Sequence, residues 1–454
     1  MQIINPATEE IITSIEEDTI DSVHQKYELL KNGQLQWSKV ALSERIAAIA
    51  RFYDLLDAEK EELALTLTNE MGKPLQQSLN EINGARGRIK YFIDHSEKYL
   101  AEEWITIDGA TKEKIVYEPL GVVANISAWN YPYLVGVNVF IPALIGGNAV
   151  LYKPSEYTSL TGLHIQRLLH KAGIPENCFQ AVIGKGNVGA ALLQLPLKGY
   201  YFTGSYKTGK SIAETVAGKL VPCQLELGGK DPLYVMDDVE DINKIAGDVL
   251  EGVVYNSGQS CCAVERVYVH EKIYDAFIAA ITAACKKLKV GNPLEKGMDM
   301  GPLSRKEQPQ FLLAQIKDAI LKGATCVCGG NMIGTKGYFL EPTILTNVNH
   351  SMDLMMEESF GPVIGIQKVK DDAEAIALML DTAYGLTASV YSKSKERAES
   401  VMQEMNTGTV YWNCCDRVSA TLPWSGRKNS GIGSTLSFQG IRAFVQPKAY
   451  HLRG

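Results

Sequence analysis

The chain has 454 residues, of which 46% are hydrophobic and 21% are charged, and its net charge is −7 with a pI near 5.7. This length predicts two or three domains with large cores. The acidic balance argues against a nucleic-acid partner, which selects a basic face, and against a polybasic membrane-surface protein. No run of about twenty apolar residues is present, so we expect no transmembrane segment and no membrane as a partner.

The cysteine pattern and the N-terminal residues indicate in which compartment the protein resides and whether it binds a metal. Nine cysteines, an odd number without the spacing of a disulfide framework, are typical of reduced thiols. The chain has no CxxC pair, and Tyr274 stands where an HExxH motif needs its second histidine, so we expect no metal. Met1 to Pro6 lack the basic and apolar segments of a secretory signal. We therefore expect a cytoplasmic protein.

The first hundred residues have the pattern of helices. Apolar residues at helical spacing predict one helix over 44–71, ended by Gly72-Lys73-Pro74, and a second helix over about 75–100.

A β-hairpin is predicted next, and a strand at the other end of the chain. Residues 104–107 and 114–117 lie on either side of Asp108-Gly109, a turn signal. The short tail over 447–454 is predicted to add a strand to a neighbouring subunit, because an isolated edge strand promotes aggregation.

From Gly121 onward, strands alternate with short helices. The strand candidates are 122–126, 149–152, 179–183, 200–202 and 224–227, and the helical stretches between them are 134–144, 160–171, 188–193 and 209–217. This alternation predicts right-handed βαβ units in a parallel, doubly wound sheet of dinucleotide-binding size. A further α/β region follows from 228 to about 444, with strand candidates at 264–270 and 387–391.

Three motifs at strand ends each have a functional and a structural interpretation. The GxGxxG match over 184–189 follows the third strand and has no acid about twenty residues later, so a tight turn is favoured over a pyrophosphate site. Glu156, near Lys153, follows the second strand, where dinucleotide folds bind the ribose, and a solvated loop is the alternative. Ser205 after Gly204 suits a phosphate site or a simple N-cap, and the two interpretations are compatible.

Two further residues suggest covalent catalysis. Cys261 and Cys262 lie in a loop that begins at Gly258, but a buried, inert thiol is the more common fate of cysteine than a nucleophile. Glu226 ends a strand among apolar residues, where burial raises the pKa of a carboxyl and suits it to act as a general base. Only the fold can bring Glu226 and Cys261 together.

The motifs, taken in order, resemble the aldehyde dehydrogenase superfamily over essentially the whole chain. They include Asn5-Pro6-Ala7-Thr8, Trp129-Asn130-Tyr131-Pro132, Lys153-Pro154-Ser155-Glu156, Phe202-Thr203-Gly204-Ser205, Glu226-Leu227-Gly228-Gly229-Lys230, Gly258-Gln259-Ser260-Cys261 and Glu358-Ser359-Phe360-Gly361-Pro362. The resemblance implies an α/β fold with a Rossmann-like NAD-binding domain of residues 1–100 and 120–227. It also implies an α/β catalytic domain of residues 228–444 and a small β oligomerisation element of residues 101–119 and 445–454.

The resemblance further implies NAD-dependent oxidation of a small aldehyde to a carboxylic acid. Cys261 would form a thiohemiacetal and then a thioester, Asn130 would stabilise the oxyanion, and Glu226 would activate water. NAD is favoured over NADP, and a homodimer or homotetramer is implied. The implied cofactor contacts are Trp129, Lys153, Ser155, Glu156, Gly186, Gly204, Ser205, Gly209, Leu227, Glu358 and Phe360.

The implied substrate pocket departs from that of other members. Members acting on succinate semialdehyde usually carry arginine at the positions of Asn138 and Tyr255, so that clamp is missing, and Arg417 offers one cation near the pocket mouth. The substrate therefore stays unassigned. The implied pocket residues are Tyr131, Val135, Asn138, Ser260, Cys262, Arg417, Val418 and Trp424.

Two alternative functions stay open. A CoA-acylating semialdehyde dehydrogenase has the same fold, but such members usually lack the carboxylate that Glu226 supplies here. A non-catalytic binding or structural relative is the other alternative, and it is disfavoured because Asn130, Glu226, Cys261 and Glu358 are all present.

Overall fold

A computed structural model describes residues 1–107 and 109–454, and it begins with a strand pair, four helices and a hairpin. The bounds are β1 (Gln2–Ile4), β2 (Ile11–Ser14), α1 (Ile20–Trp37), α2 (Leu42–Ala58), α3 (Lys60–Met71), α4 (Leu75–Leu100), β3 (Glu103–Thr106) and β4 (Thr111–Pro119). Among the described residues, no helix combines the length and apolar composition that crossing a membrane requires.

The expectation of one continuous helix over 44–71 is wrong. The backbone leaves helical geometry at Glu59, with φ −114° and ψ 13°, and this residue separates α2 from α3. The Glu59 carboxylate forms ion pairs with Arg167 and Lys171, which hold this junction against a later helix. The predicted end of the helix is confirmed, because Gly72 adopts the left-handed conformation that glycine tolerates.

The next hundred residues form the predicted parallel sheet. Its strands are β5 (Val122–Ile126), β6 (Ala149–Lys153), β7 (Phe179–Ala181), β8 (Tyr200–Thr203) and β9 (Cys223–Glu226), in the order β9-β8-β5-β6-β7. All neighbouring pairs among these five strands are parallel, and the sheet is therefore doubly wound as predicted. The connecting helices are α5 (Pro132–Ile145), α6 (Ser159–Lys171), α7 (Gly186–Gln194) and α8 (Tyr206–Val216).

The remaining chain is built around a seven-stranded sheet. Its elements are β10 (Asp231–Val235), α9 (Ile242–Val254), β11 (Val264–His270), α10 (Glu271–Cys285), α11 (Gln308–Leu321), β12 (Thr325–Cys328), β13 (Thr343–Thr346), α12 (Asp353–Met356), β14 (Val363–Val369), α13 (Asp372–Leu380), β15 (Tyr384–Gly385), β16 (Thr387–Tyr391), α14 (Lys395–Glu404), β17 (Thr409–Trp412), β18 (Arg427–Lys428), β19 (Gly431–Ile432), α15 (Ser437–Arg442) and β20 (Val445–Arg453). The sheet order is β12-β13-β14-β11-β10-β16-β17, and β19 lengthens the first sheet beside β9. The predicted strands 264–270 and 387–391 are confirmed as β11 and β16.

The central strands of both sheets are buried on both faces. Every residue of β5, β6, β10, β11 and β16 is buried. This is the pattern expected where helices cover both sides of a parallel sheet. The strand ends between the two sheets are therefore the natural places for polar, functional side chains.

The tail pairs with β4 of its own chain, and its outer edge is unpaired among the described residues, so the expectation that it adds a strand to a neighbouring subunit stays a prediction. β20 runs antiparallel to β4 over the full register from Val445–Pro119 to Arg453–Thr111, and the sheet order is β20-β4-β3. The Asn148 amide donates to the carbonyl of Phe444 at 2.8 Å, which directs the chain toward β4 just before β20 begins. Asp108 of the predicted hairpin turn lies outside the described residues.

Candidate active site

Two cavities meet at the side chains of Glu226 and Cys261. One, of about 830 Å³, contains all eight residues of the implied substrate pocket and is called the substrate cavity below. The other, of about 770 Å³, lies at the carboxyl ends of β6, β8 and β9 and is called the cofactor cavity. Both cavities are lined by Glu226 and Cys261. The fold thus brings together the two residues whose spacing left this question open.

The loop before Cys261 has an unusual backbone. Asn256, Ser257 and Gly258 follow one another with φ of +55°, +54° and +71°, all in the left-handed region. A side chain at Gly258 would meet the backbone of Gly361 at 2.3 Å, so only glycine allows this approach. The close contact fixes the loop against the segment that carries Glu358.

The two adjacent cysteines have different surroundings. Cys261 is half-buried and lines both cavities, whereas Cys262 is buried and lines only the substrate cavity. The Cys262 thiol donates to Oδ1 of Asp416 at 2.9 Å. Its hydrogen bond with Cys261, its burial and the Asp416 charge hold the pKa of Cys262 well above its usual range. Cys262 is therefore kept as a thiol, which is the unreactive form.

Asn130 is fixed beside the cysteine loop by a buried network. Its side-chain Nδ2 donates to the carbonyl of Gln259 at 3.1 Å, which uses one of its two N–H groups. Its backbone carbonyl accepts from Lys73 Nζ at 2.7 Å and from Asn256 Nδ2 at 3.1 Å. The second N–H of the Asn130 amide is thereby oriented on a rigid support.

Sequence reasoning missed the charged pair behind Asn130. Lys73 and Glu81 form an ion pair at 2.5 Å, and both side chains are fully buried. The sequence predicts for Lys73 only a place in a helix-ending segment. A signal for this buried charge lies in α4. Glu81 and Arg88 are seven residues apart and therefore lie on one face of the helix, which is the face that also carries buried Ile82, Ala85 and Ile89.

Glu226 ends β9 in a nearly closed environment, as its surroundings in the sequence predict. It is 8% exposed, and Thr435 Oγ1 donates a hydrogen bond to its Oε1. Burial raises the pKa of Glu226 to about 7, although the Thr435 hydrogen bond and the charge of Arg88 act in the opposite direction. A carboxyl with a pKa near neutrality suits proton transfer to and from water.

Ten of the eleven implied cofactor contacts line the cofactor cavity. They are Trp129, Lys153, Ser155, Glu156, Gly186, Gly204, Ser205, Leu227, Glu358 and Phe360. Gly209 does not line it, because it lies within α8 under Leu227, where an added Cβ would meet Leu227 Cδ2 at 2.4 Å. Its role in the fold is close packing of a helix on a strand.

The cofactor cavity is lined by two carboxylates, those of Glu156 and Glu358, and by the aromatic rings of Trp129 and Phe360. Glu358 accepts from the Gly229 N–H at 3.1 Å, and burial raises the pKa of Glu358 to about 8. The Phe360 ring lies edge-to-face against Trp129, with the ring centres 5.5 Å apart. Ser205 accepts from the backbone N–H of Thr208, so its interpretation as an N-cap is confirmed.

The substrate cavity contains a second cation that sequence reasoning missed. Arg417 is exposed at the mouth, 3.9 Å from Glu251. Arg88 reaches the cavity interior from α4, and its Nη1 donates to Asn138 Oδ1 at 3.1 Å. The chain therefore lacks an arginine at position 138 but brings one to the same place from another helix.

Comparisons with known proteins agree with this geometry. A sequence model of the aldehyde dehydrogenase family matches residues 1–450. The chain is 36% identical to aldehyde dehydrogenase family 2 member B4, mitochondrial, of Arabidopsis thaliana, over 98% of this chain and 84% of that protein. It is 34% identical to succinate-semialdehyde dehydrogenase (NADP(+)) of Deinococcus radiodurans, over 91% and 86%. The crystal structure of betaine aldehyde dehydrogenase from Staphylococcus aureus in complex with NAD+ matches with a TM-score of 0.96, 32% identity, and coverage of 100% and 92%.

Proposed function

The chain belongs to the aldehyde dehydrogenase family, and we propose that it oxidises a small aldehyde to the carboxylic acid with NAD by way of a Cys261 thioester. The observation that carries this proposal is the meeting of two cavities at Cys261 and Glu226. A thiol at this junction reaches an aldehyde from one side and a nicotinamide from the other. A buried carboxyl at the same junction reaches the thioester.

The cofactor cavity fits NAD in its donor and acceptor chemistry. Glu156 and Glu358 offer carboxylate oxygens to the hydroxyls of two riboses, and Ser205 lies at a helix N-terminus suited to a phosphate. Trp129 and Phe360 supply apolar aromatic surface for packing against an aromatic ring. When bound, NAD supplies the oxidation by accepting a hydride.

The protein's own residues carry the covalent steps. The Cys261 thiolate attacks the carbonyl carbon, and the oxyanion accepts hydrogen bonds from the free N–H of Asn130 and from the Cys261 backbone N–H. Oxidation leaves an acyl group bound to the Cys261 sulfur. Glu226 then takes a proton from water as that water attacks the thioester, and the acid leaves with the thiolate restored.

The proposal is tested by a screen of aldehydes with NAD, with and without CoA. We expect the carboxylic acid and reduced cofactor to form in equal amounts without CoA, because Glu226 provides for hydrolysis. Formation of an acyl-CoA with no acid in its absence would assign the CoA-acylating alternative. Absence of any cofactor reduction across the screen would favour a non-catalytic relative.

The preference for NAD over NADP is expected to depend on Glu156. A carboxylate accepts hydrogen bonds from both adenosine ribose hydroxyls, whereas the 2′-phosphate of NADP would face like charge, which costs several kcal/mol at an interface. We expect a preference for NAD of about 10-fold or more in kcat/KM, since about 1.4 kcal/mol corresponds to tenfold. Lys153 nearby and the exposed Lys207 and Lys210 of α8 offset part of the repulsion.

Glu156→Thr should narrow this preference, because it weakens the binding of NAD and removes the repulsion between the Glu156 carboxylate and the 2′-phosphate of NADP. Steady-state kinetics with both cofactors measures it. Glu214→Gln on α8, which removes an exposed carboxylate outside the cavity, is the matched control and should leave the preference unchanged. An unmodified protein that uses NADP as well as NAD would contradict the assignment of Glu156.

We also propose that the chain forms a homodimer or homotetramer through residues 101–119 and 445–454. Three large apolar residues at β3, Trp104, Ile105 and Ile107, are 47%, 63% and 63% exposed, and grouped exposure of this kind marks interaction surfaces. The outer edge of β20 is also unpaired among the described residues, which makes it a template for another strand.

Removal of residues 445–454 is expected to lower the assembly state. The deletion takes away β20 and leaves β4 paired with β3 alone, so the proposed interface loses its edge strand and light scattering should report a smaller mass. Leu220→Ser, which removes an apolar side chain that is 94% exposed elsewhere on the surface, is the control and should not change the mass. An unchanged mass after the deletion would show that this sheet is not part of the interface.

The domain division and the compartment belong to the same proposal. We propose an NAD-binding domain of 1–100 and 120–227 and a catalytic domain of 228–444, which are centred on the two large sheets. A cytoplasmic location is proposed because all nine cysteines are free thiols, as in a reducing compartment.

A further inference from the structure

Arg88 is a buried cation inside the substrate cavity that forms no direct ion pair with a described carboxylate. It is 9% exposed and lines the cavity. Its Nη1 donates to the carbonyl of Leu134 at 2.9 Å and to Asn138 Oδ1 at 3.1 Å, and both acceptors are uncharged. No carboxylate oxygen among the described residues comes within 4.0 Å of its nitrogens.

A guanidinium keeps its charge in a protein and is unfavourable in the interior unless an anion pairs with it. The charges of Glu226 and Glu81 act on Arg88 through space, but the nearby acids form their direct contacts with other groups. Glu226 accepts from Thr435, and Asp416 accepts from the Cys262 thiol. Glu81 is paired with Lys73, so none of these three carboxylates neutralises Arg88 by direct contact.

The cavity mouth does not supply the missing anion either. Asp248 is paired with Lys244 at 2.7 Å, and Glu251 lies 3.9 Å from Arg417. The acids at the mouth thus have cations beside them, and none of them pairs directly with Arg88. The guanidinium of Arg88 is therefore the cation of the cavity interior that has no direct ion pair among the described residues.

The cavity leaves room beside Arg88 for part of a ligand. Gly84 and Gly87, on the same helix, line the cavity and present no side chains to it. A Cβ added at Gly87 would meet no atom within 4 Å. The Nε and Nη2 groups of Arg88 make no hydrogen bond to the described residues and are not sealed from the cavity. Two N–H directions of a guanidinium match the two oxygens of a carboxylate.

We propose that Arg88 binds a carboxylate at the end of the substrate remote from the aldehyde, so that the substrate is an aldehyde acid. This inference rests on the proposed aldehyde oxidation at Cys261. The Asn138 amide is a positioning residue, because its oxygen holds Nη1 and leaves the rest of the guanidinium directed to the ligand. The aldehyde reaches Cys261 while the carboxylate stays at Arg88.

The test compares three probes of similar length: succinate semialdehyde, its neutral terminal amide, and butanal. For the unmodified protein we expect kcat/KM to be about 100-fold higher for the acid than for the amide, as a buried charge pair at an interface provides. Arg88→Met should lower kcat/KM for the acid about 100-fold, mainly through KM, because the contact holds in ground and transition states alike. Its effect on butanal should be much smaller than its effect on the acid and should shrink as the pH rises above 7, because loss of the Arg88 charge also raises the pKa of Glu226 for every aldehyde.

Arg86→Met is the matched control on the same helix. Arg86 pairs with Asp57 at 2.9 Å and does not line the cavity, so its replacement should leave the ratio of acid to amide unchanged. Arg88→Lys should retain part of the preference, because it keeps the charge without the fork of donors.

The outcomes separate this inference from the proposed function. Oxidation of butanal and the amide at rates equal to or above that of the acid would overturn the role of Arg88 while leaving aldehyde oxidation intact. No oxidation of any aldehyde would overturn the proposed function itself. Should Arg88→Met fail to fold, inhibition of the unmodified protein decides: succinate should compete with the aldehyde more strongly than its diamide, and equal inhibition would contradict the inference.

Discussion

Cys261→Ala is expected to abolish aldehyde oxidation, with a loss of about 10⁴-fold or more in kcat, the range seen when a nucleophile is removed. The reason is geometric, because Cys261 is the cysteine that lines both cavities. Without its sulfur no thiohemiacetal forms, and the hydride has no route to NAD. Reduced-cofactor absorbance under saturating aldehyde measures the effect.

Cys262→Ala is the matched control, and most activity should survive it. The Cys262 thiol donates to Asp416 and is held in its protonated form, so it contributes packing rather than chemistry. Thermal unfolding of both variants separates loss of chemistry from loss of the fold. An inactive Cys262→Ala beside an active Cys261→Ala would assign the nucleophile to the neighbouring position.

Glu226→Gln is expected to block release of the acid rather than its formation. The variant should give a burst of about one reduced cofactor per subunit and then turn over about 10² to 10⁴-fold more slowly, since general-base catalysis contributes this much. Rapid mixing with excess aldehyde and NAD resolves the two phases. A variant with unchanged steady-state turnover would remove Glu226 from the mechanism.

The same variant changes the pH dependence in a direction fixed by burial. The carboxyl of Glu226 titrates near pH 7, and only its deprotonated form accepts a proton, so acid release should increase as the pH rises through about 7. In Glu226→Gln this increase should be absent. A profile that falls through the same range would mean that the protonated form is the active one.

Burial of Glu226 also costs stability. Its pKa is raised from 4.5 to about 7, so the folded protein keeps a proton that the unfolded chain releases, and stability falls as the pH rises between these values. Above pH 7, Glu226→Gln should therefore be more stable than the unmodified protein, by about 1 to 3 kcal/mol. Urea unfolding at two pH values measures this difference, which should vanish below pH 4.5.

Local patterns were enough to predict much of the fold. Runs of β-branched and apolar residues mark buried strands, so β5, β11 and β16 have the predicted bounds. The break at Glu59 could not be predicted, because apolar residues continue at helical spacing across it and an ion pair with a distant helix fixes the junction. Local patterns do not predict the pairing of β20 with β4 either, because β4 lies more than three hundred residues earlier, and only the family resemblance groups the two segments in one element.

Sequence reasoning identifies candidate site residues that lie in short motifs. It does not identify those that lie in the long helical region at the N-terminus. Cys261, Glu226 and Asn130 lie in loops and strand ends beside glycines and prolines, which makes them visible in a sequence. Lys73 and Arg88 belong to the helical N-terminal region, and only packing turns them toward the site. Gly209 is the opposite case, because its place in a motif implies a cofactor contact and the structure shows it packed against Leu227.

During turnover the acyl group should be carried on the sulfur where the two cavities meet. Peptide mass spectrometry of Glu226→Gln, after a rapid acid quench during turnover with aldehyde and NAD, measures this directly. We expect the mass of the acyl group on the peptide that contains Cys261, and its loss when Cys261 is also replaced by alanine while Cys262 stays. An acyl group that persists in that double variant, or no acyl group while reduced cofactor accumulates, would contradict it.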